Sequence, residues 1–406
     1  MSEPAGAKRP RVVLLRGHHA NVWDLAPWGL LRDEFDVSAL VTGSNVHQVD
    51  GLAIPAVRVR TPRDVLPGGR VAGGLAYLAG ERYLGLERHL AGADVVHSAE
   101  LGTWHSAQAA RLKPRLGFAL ALTVWETIAW RETYRWPRER AYRRAALDGT
   151  DAFLATTERA RAGLLLEGAE AERIEVCPPG VDVEHFAAAA ATAPAADGVH
   201  RILSAGRLVW EKGHQDVLRA FAALRRGLFA APRTDIVLEV VGSGPEEAKL
   251  KRYAAELGVA DAVAFVPTVP YAEMPAHFAR ASCLVLASLP VQAWEEQFGM
   301  VLVEATAAGT PIVACATGAI PEVLDGHGTL VGAGDWIGLA RALASGPLAE
   351  PAPAPRVAPD RERLLRYTSE AAAERYRSVY RSLLAERDGA ADVDPRAPSR
   401  PARPSR

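Results

Sequence analysis

Residues 201–221 read RILSAGRLVWEKGHQDVLRAF. The first five make an apolar run of strand length and a glycine follows. From about His214 the residues Val217, Leu218, Phe221 and Leu224 recur at helical spacing. Strand, glycine turn and helix in that order open a βα unit. The same alternation runs on both sides of it. Upstream lie RVVLL at 11–15, VSALV at 37–41, DVVH at 94–97, FALALTV at 118–124, AFLAT at 152–156 and IEVC at 174–177. Downstream lie IVLEVV at 236–241, AVAFV at 262–266, CLVLA at 283–287 and PIVAC at 311–315. Short aliphatic runs separated by helical patterns are the signature of an α/β fold with parallel sheets. The small-residue stretch AAAAATAPAADGVH at 187–200 reads as a linker, so two Rossmann-like halves joined by a hinge are expected: 1–186 and 201–359.

Composition narrows the function. The 406 residues are 49% hydrophobic, and 47 basic against 48 acidic residues give a formal net charge of −1. A chain without a bulk positive field is not expected to bind nucleic acid, and any anionic partner must be held locally. Cys177, Cys283 and Cys315 are far apart and lack CxxC spacing, so reduced core thiols are expected, with neither zinc nor disulfide. No signal-peptide pattern opens the chain, and the apolar run LGFALALTVW at 116–125 is about half a membrane span. A cytoplasmic, soluble protein is the expectation.

Doubly wound sheets bind ligands at the carboxyl ends of their strands. In the opening stretch, Gly206 allows a sharp turn, and Arg207 and Lys212 bracket the loop. A guanidinium fork and a mobile ammonium at a strand-end rim suit a diphosphate. Pairing with Glu211 or Asp216 in a solvated loop is the other reading. After IVLEVV comes GSGPEEAKL at 242–250, where Gly242 and Gly244 would let the backbone approach a phosphate or ribose, or would simply turn the chain. Glu247 stands where a dinucleotide fingerprint has its third glycine, and RGHHAN at 16–21 has one glycine, so NAD and FAD are disfavoured.

A second stretch, EEQFGMVLVEATAAGTPIVA at 295–314, holds Glu296 and Glu304 eight positions apart. A helix is expected from near Phe298 through Ala308, stopped by Gly309 and Thr310-Pro311. Eight helical residues span about 12 Å, whereas a glycosidase pair needs about 5–9.5 Å. No His or further Asp joins them as a metal site would require. The geometry suits one elongated ligand touched at two points, its anionic middle facing the amides of Phe298, Gly299 and Met300. A nucleotide sugar has that order of groups.

These residues resemble the retaining glycosyltransferases of family 4, which have the GT-B fold: two Rossmann-like domains facing each other across a cleft. The resemblance rests on EQFGMVLVEATAAGTPIVA, GRLVWEKG, VGSGPEEAKL and CPPGVDVEHF, and on RYTSEAAAERYRSVYRSLL, which looks like the family's C-terminal helix returning to the N-terminal domain. It implies an acceptor-side domain over 1–186, a nucleotide-sugar-binding domain over 201–359 and the returning helix over 360–389; the Pro/Arg/Ser-rich DPRAPSRPARPSR at 394–406 makes a disordered tail over 390–406 the expectation. In that helix Ala373, Tyr376, Tyr380 and Leu383 share a face, Thr368 or Ser369 caps the start and Gly389 the end. Arg207 and Lys212 would stabilise the departing diphosphate in place of a metal ion. Glu304 would hold the ribose hydroxyls and Glu296 the sugar ring, with the amides of Gln297, Phe298 and Gly299 assisting. Val266, in Phe265-Val266-Pro267, would lie beside the base.

The sequence departs from the family pattern in two places. Gln297 stands where many relatives have glycine, which would narrow sugar choice. Ala99 and Trp125 stand where a histidine near the donor sugar is expected, leaving His97, Glu100 and Glu126 as polar candidates, with His97 also readable as a satisfied strand-end residue. Gly17, with His18 and His19, follows the first strand, where the family's first loop nears donor and acceptor. WRETYRWPRERAYRR at 130–144 carries six arginines and two glutamates among aromatics, which suits an anionic membrane, an anionic acceptor or a solvated helix face. The implied activity is metal-independent, cofactor-free transfer of a hexose from a UDP-, GDP- or ADP-linked sugar to a hydroxyl acceptor of unknown identity. A nucleotide-sugar epimerase or hydrolase, and a catalytically inactive nucleotide-sugar-binding subunit, are the rival readings.

Overall fold

The apolar runs fold as strands. In the computed structural model, which describes residues 8–47, 49–65, 80–131, 135–191, 197–229, 231–352 and 354–391, the first sheet contains seven strands. They are β1 (Arg11–Leu15), β2 (Asp36–Thr42), β3 (Ala56–Val59), β4 (Val95–Ala99), β5 (Ala119–Val124), β6 (Ala152–Ala155) and β7 (Ile174–Val176), in the order β3-β2-β1-β4-β5-β6-β7. The second sheet contains β8 (His200–Ala205), β9 (Ile236–Val241), β10 (Val263–Val266), β11 (Cys283–Leu286), β12 (Ile312–Cys315) and β13 (Thr329–Val331). Its order is β10-β9-β8-β11-β12-β13. The pairings of β1 with β2 and β4, and of β8 with β9 and β11, are parallel.

Two of these strands have no apolar run to announce them. The strands β3 and β13 are sheet edges with exposed residues at alternate or successive positions. An edge strand buries little side-chain surface, so its sequence is not forced to be uniformly aliphatic. The stretch 187–200 is not all linker, because the helix Val183–Ala191 runs into it. Residues 192–196 of that stretch, 132–134 of the Arg-rich segment and 392–406 of the tail lie outside the described residues.

By compactness the chain divides into one unit of residues 1–122, 141–153 and 373–406 and another of 123–140 and 154–372. The core of the second unit is built on the helix His214–Arg226, in which Val217, Leu218, Phe221 and Leu224 are all buried. Each such side chain removed from water contributes roughly 1.5–3 kcal/mol, which is why this amphipathic stripe fixes the helix against the sheet. That helix starts from Gly213 with φ +70°, and a Cβ there would lie 1.8 Å from the Ala287 carbonyl oxygen. Only glycine lets the loop after β8 touch the backbone leaving β11.

In the first unit the last helix, Ser369–Ala391, buries Ala373, Tyr376, Tyr380 and Leu383. The Thr368 hydroxyl accepts the Ala371 amide at 3.1 Å, so Thr368 is the cap. Gly389 does not end the helix, which continues to Ala391. Tyr376 stacks on Trp28 at 4.2 Å, and the Trp28 indole N–H donates to the Tyr380 hydroxyl at 2.8 Å. That hydroxyl in turn lies 2.6 Å from His97 Nδ1. The phenol oxygen thus bridges the Trp28 indole and the His97 imidazole. Replacing Tyr380 by Phe takes a partner from two buried nitrogens at once. A loss of roughly 2 kcal/mol is expected in urea unfolding of Tyr380→Phe, with the m-value unchanged.

Candidate functional site

In the second sheet the chain order reverses at β8, which lies between β9 and β11. The loops leaving β8 and β11 therefore flank a topological switch point, where open α/β sheets place ligands. The β8 loop is held from below. Gly206 N donates to Val241 O at 2.9 Å, Leu208 N to Ser243 O at 2.9 Å and Gly242 N to Val266 O at 2.9 Å. A Cβ on Gly242 would stand 1.9 Å from the Gly206 carbonyl oxygen. Thus Gly206, Gly242 and Val266, all expected at the donor, are fastened to one another, and the close approach that Gly242 permits is to the neighbouring loop. Gly244 lies in the same ladder beside Leu208.

His214 anchors the other side of that loop. Its Nε2 lies 3.2 Å from the Arg207 carbonyl oxygen and its Nδ1 2.9 Å from the Ser204 hydroxyl. A carbonyl only accepts, so Nε2 carries the proton and Ser204 donates to Nδ1. Burial pushes this imidazole down to about 4, so it stays neutral through the physiological range.

Lys212 is joined to Glu296. Its Nζ lies 3.0 Å from Oε1 and 2.7 Å from Oε2. Ser288 Oγ donates to the same carboxylate at 2.6 Å, and the Lys212 ammonium stands 5.0 Å from the centroid of the Trp294 ring. Both ends of the pair are largely buried, with side chains 16% and 7% exposed. Lys212 therefore pairs across 84 positions and with neither Glu211 nor Asp216, the local partners of the solvated-loop reading. Arg207 is different: 63% exposed, it has Glu211 at 3.9 Å and points a guanidinium to solvent. The adjoining Trp210 is also exposed.

The helix Met300–Ala307 starts two residues later than expected, because Gly299 is left-handed at φ +82°. Phe298 precedes it as a core anchor, edge-on to Trp125 at 6.1 Å and to Tyr367 at 5.7 Å. The amides of Gln297, Phe298 and Gly299 make no hydrogen bond among the described residues. Gln297 and Met300 are half-buried beside them. Glu304, inside the helix, is buried and receives the Tyr271 hydroxyl, and burial raises its carboxyl to about 7.

The first unit corrects one expectation. His97 is not a strand-end residue: it lies within β4, is fully buried, and serves the aromatic seam of Trp28, Tyr376 and Tyr380. Burial holds its pKa well below the usual imidazole range. Gly17 is left-handed at φ +57°, and its amide donates to the Tyr83 hydroxyl at 2.9 Å.

Sequence reasoning passed over Ser288, Trp294, Glu295 and His214. Ser288 lies two residues past the end of β11, so the strand-end rule pointed there. Glu295 receives Arg159 in a two-pronged contact, Nε to Oε1 at 2.6 Å and Nη2 to Oε2 at 2.9 Å. Nothing local in the sequence marks that pairing.

The family model described as Glycosyltransferase Family 4 matches residues 16–185, and the one described as Glycosyl transferases group 1 matches residues 190–346. D-inositol 3-phosphate glycosyltransferase of Pseudarthrobacter chlorophenolicus is 33% identical over 218 residues, covering 50% of this chain and 49% of that protein. GDP-mannose-dependent alpha-(1-6)-phosphatidylinositol monomannoside mannosyltransferase of Mycolicibacterium smegmatis is 37% identical over 178 residues, covering 39% and 43%. The chain spans about half the length of the curated relatives it matches. Among solved structures, sucrose-phosphate synthase of Thermosynechococcus elongatus superposes with a TM-score of 0.70 at 21% identity, over 93% of this chain and 100% of that one. Anabaena HepE in complex with UDP gives 0.68 at 16% identity, over 92% and 100%. The fold is GT-B, and the chain belongs to the group 1 and family 4 glycosyltransferases.

Two stability measurements check the site. Lys212→Met leaves a buried carboxylate without its cation and is expected to cost about 3 kcal/mol, most of it regained in Lys212→Met/Glu296→Gln. Glu304 gives a pH dependence. Its carboxyl ionises near pH 4.3 in the unfolded chain but only at about 7 in the fold, so between those values the native state binds the extra proton. Stability is therefore fullest below the unfolded pKa and falls as pH rises to about 7, by roughly 3 kcal/mol. Glu304→Gln keeps an acceptor for Tyr271 and is expected to flatten that slope in unfolding curves taken from pH 5 to 8.

Proposed function

We propose that this chain is a retaining, metal-independent glycosyltransferase that moves a hexose from a nucleoside-diphosphate sugar to a hydroxyl acceptor. The observation that carries the reading is the Lys212–Glu296 pair beside the exposed Arg207 at the β8/β11 switch point. The relatives' names support it, since one is GDP-mannose-dependent and the solved HepE holds UDP.

Each residue then has a task that its setting allows. The guanidinium of Arg207 and the ammonium of Lys212 neutralise charge as it collects on the leaving diphosphate, acting as fixed cations that need no reorganisation. Glu296, held by Lys212 and Ser288, presents a carboxylate to the sugar. Amides of Gln297, Phe298 and Gly299, together with the start of the helix Met300–Ala307, meet the anionic middle of the donor. Glu304 accepts the ribose hydroxyls, and Val266 lies toward the base.

In the transfer, the bond from the anomeric carbon to the phosphate oxygen breaks and the acceptor oxygen bonds to the same face. The acceptor's proton leaves with the diphosphate. No side chain is required to take that proton, and His214, the imidazole of the loop after β8, is committed to the loop backbone.

No described helix is long and apolar enough to cross a membrane. Contact with an anionic bilayer through 130–144 is part of the proposal, supported by the exposed Trp130 and Trp136.

The test is a nucleoside-diphosphate release screen over UDP-, GDP- and ADP-sugars, each with lipid, small-thiol, sugar and natural-product acceptors. With the productive pair in hand, Arg207→Ala and Lys212→Ala are each expected to lower kcat by about 100-fold. Unchanged turnover in both would remove the leaving-group assignment.

A further inference from the structure

Glu296 is fixed through its neighbours as well as through its own carboxylate. Arg159 is the second residue of the helix Glu158–Glu167, and Thr157 caps that helix by accepting the Ala160 amide at 3.0 Å. From this fixed first turn the guanidinium reaches Glu295 with two parallel N–H donors, at 2.6 and 2.9 Å. The same turn holds a second carboxylate: the Glu158 and Arg159 amides donate to Glu322 at 2.7 and 3.1 Å.

Glu322 lies in the helix Ile320–Leu324, and Ala319, just before it, donates its amide to the Glu296 carbonyl oxygen at 2.8 Å. One helix terminus therefore grips the residue that precedes Glu296 and also the segment bonded to the backbone of Glu296. All of these groups belong to one compact unit.

We infer that Arg159 is a positioning residue for the transfer: through Glu295 it sets the direction in which Glu296 presents its carboxylate to Lys212 and the sugar. An ordinary exposed ion pair would be of little consequence. Here the carboxylate of Glu295 is mostly buried, 10% exposed, and a two-pronged guanidinium contact restricts rotation that a single contact leaves free. A small rotation at Glu295 is passed directly to the adjoining peptide, and misplacement of a catalytic group by about 1 Å can cost 100-fold in rate. The inference rests on the proposed glycosyl transfer.

The test uses the full chain. Binding of UDP, GDP and ADP is measured by calorimetry, and release of nucleoside diphosphate from UDP-glucose and GDP-mannose is followed at saturating donor. Arg159→Ala is expected to keep the affinity for the bound diphosphate within about twofold, because a free diphosphate lacks the sugar that Glu296 is proposed to meet, while lowering turnover at least tenfold. Arg159→Lys restores the charge but not the fork and should regain only part of the rate. Glu295→Gln should match Arg159→Ala, and the double variant should be no worse than either single one.

Intact turnover in Arg159→Ala would overturn the inference. So would a loss of diphosphate affinity that follows a lowered melting temperature and is fully cured by Lys, since that is the pattern of a merely structural contact. If the wild-type chain binds none of the three diphosphates, the functional reading fails at its first step and takes this role with it.

Discussion

The Lys212–Glu296 ion pair is the contact on which the candidate site depends. Burying an ammonium and a carboxylate is costly, and the cost is offset only when both are close and their remaining hydrogen bonds are met. Ser288 and Trp294 meet that condition here, one through a hydroxyl and the other through a ring face. The pair ties the loop after β8 to the loop after β11, so the switch point of the sheet is closed by electrostatics as well as by backbone. It also sorts the two cations of the loop. Lys212 is already balanced by a carboxylate, and Arg207 remains as the outward charge.

How much of this the sequence shows follows from where the burial lies. Strands buried on both faces, such as β1 and β11, must be continuous aliphatic runs and are readable as such. The edges β3 and β13 are under no such constraint and are invisible. The helix His214–Arg226 is readable because its stripe is regular, and the loop before it because Gly206 and the paired cations stand at a strand end. The partner of Lys212 is not readable, because it is chosen by strand order in space, β8 beside β11, and not by neighbours in the chain. The same limit hides Arg159 behind Glu295. Glu304 was legible as a carboxylate on a helix, but its burial against Tyr271, and hence its raised pKa, belongs to packing.

The histidines show the opposite error. His97 looks like a candidate for chemistry because the resembled family expects a histidine after a strand, yet it is a fully buried hydrogen-bonding strut in an aromatic seam. His214 does similar work in the loop after β8, joining Ser204 to the Arg207 carbonyl, and His105 is buried and held down to about 3. Each is kept neutral by burial, and His214 uses the imidazole's ability to donate at one nitrogen and accept at the other. His97, His105 and His214 hold hydroxyls and backbone in place, whereas the buried His18 and His277 face the carboxylates of Glu81 and Glu239.

Gly213 bears on how such enzymes can be recombined. Because a side chain there would collide with the Ala287 carbonyl, the segment 206–213 and the segment 287–299 fit each other as closely as adjacent strands do. A chimera that borrows the first segment from a relative while keeping the second inherits a mismatch in both backbone contact and charge pairing. The unit of exchange between members of this family is therefore the two loops together, although some seventy residues of chain separate them.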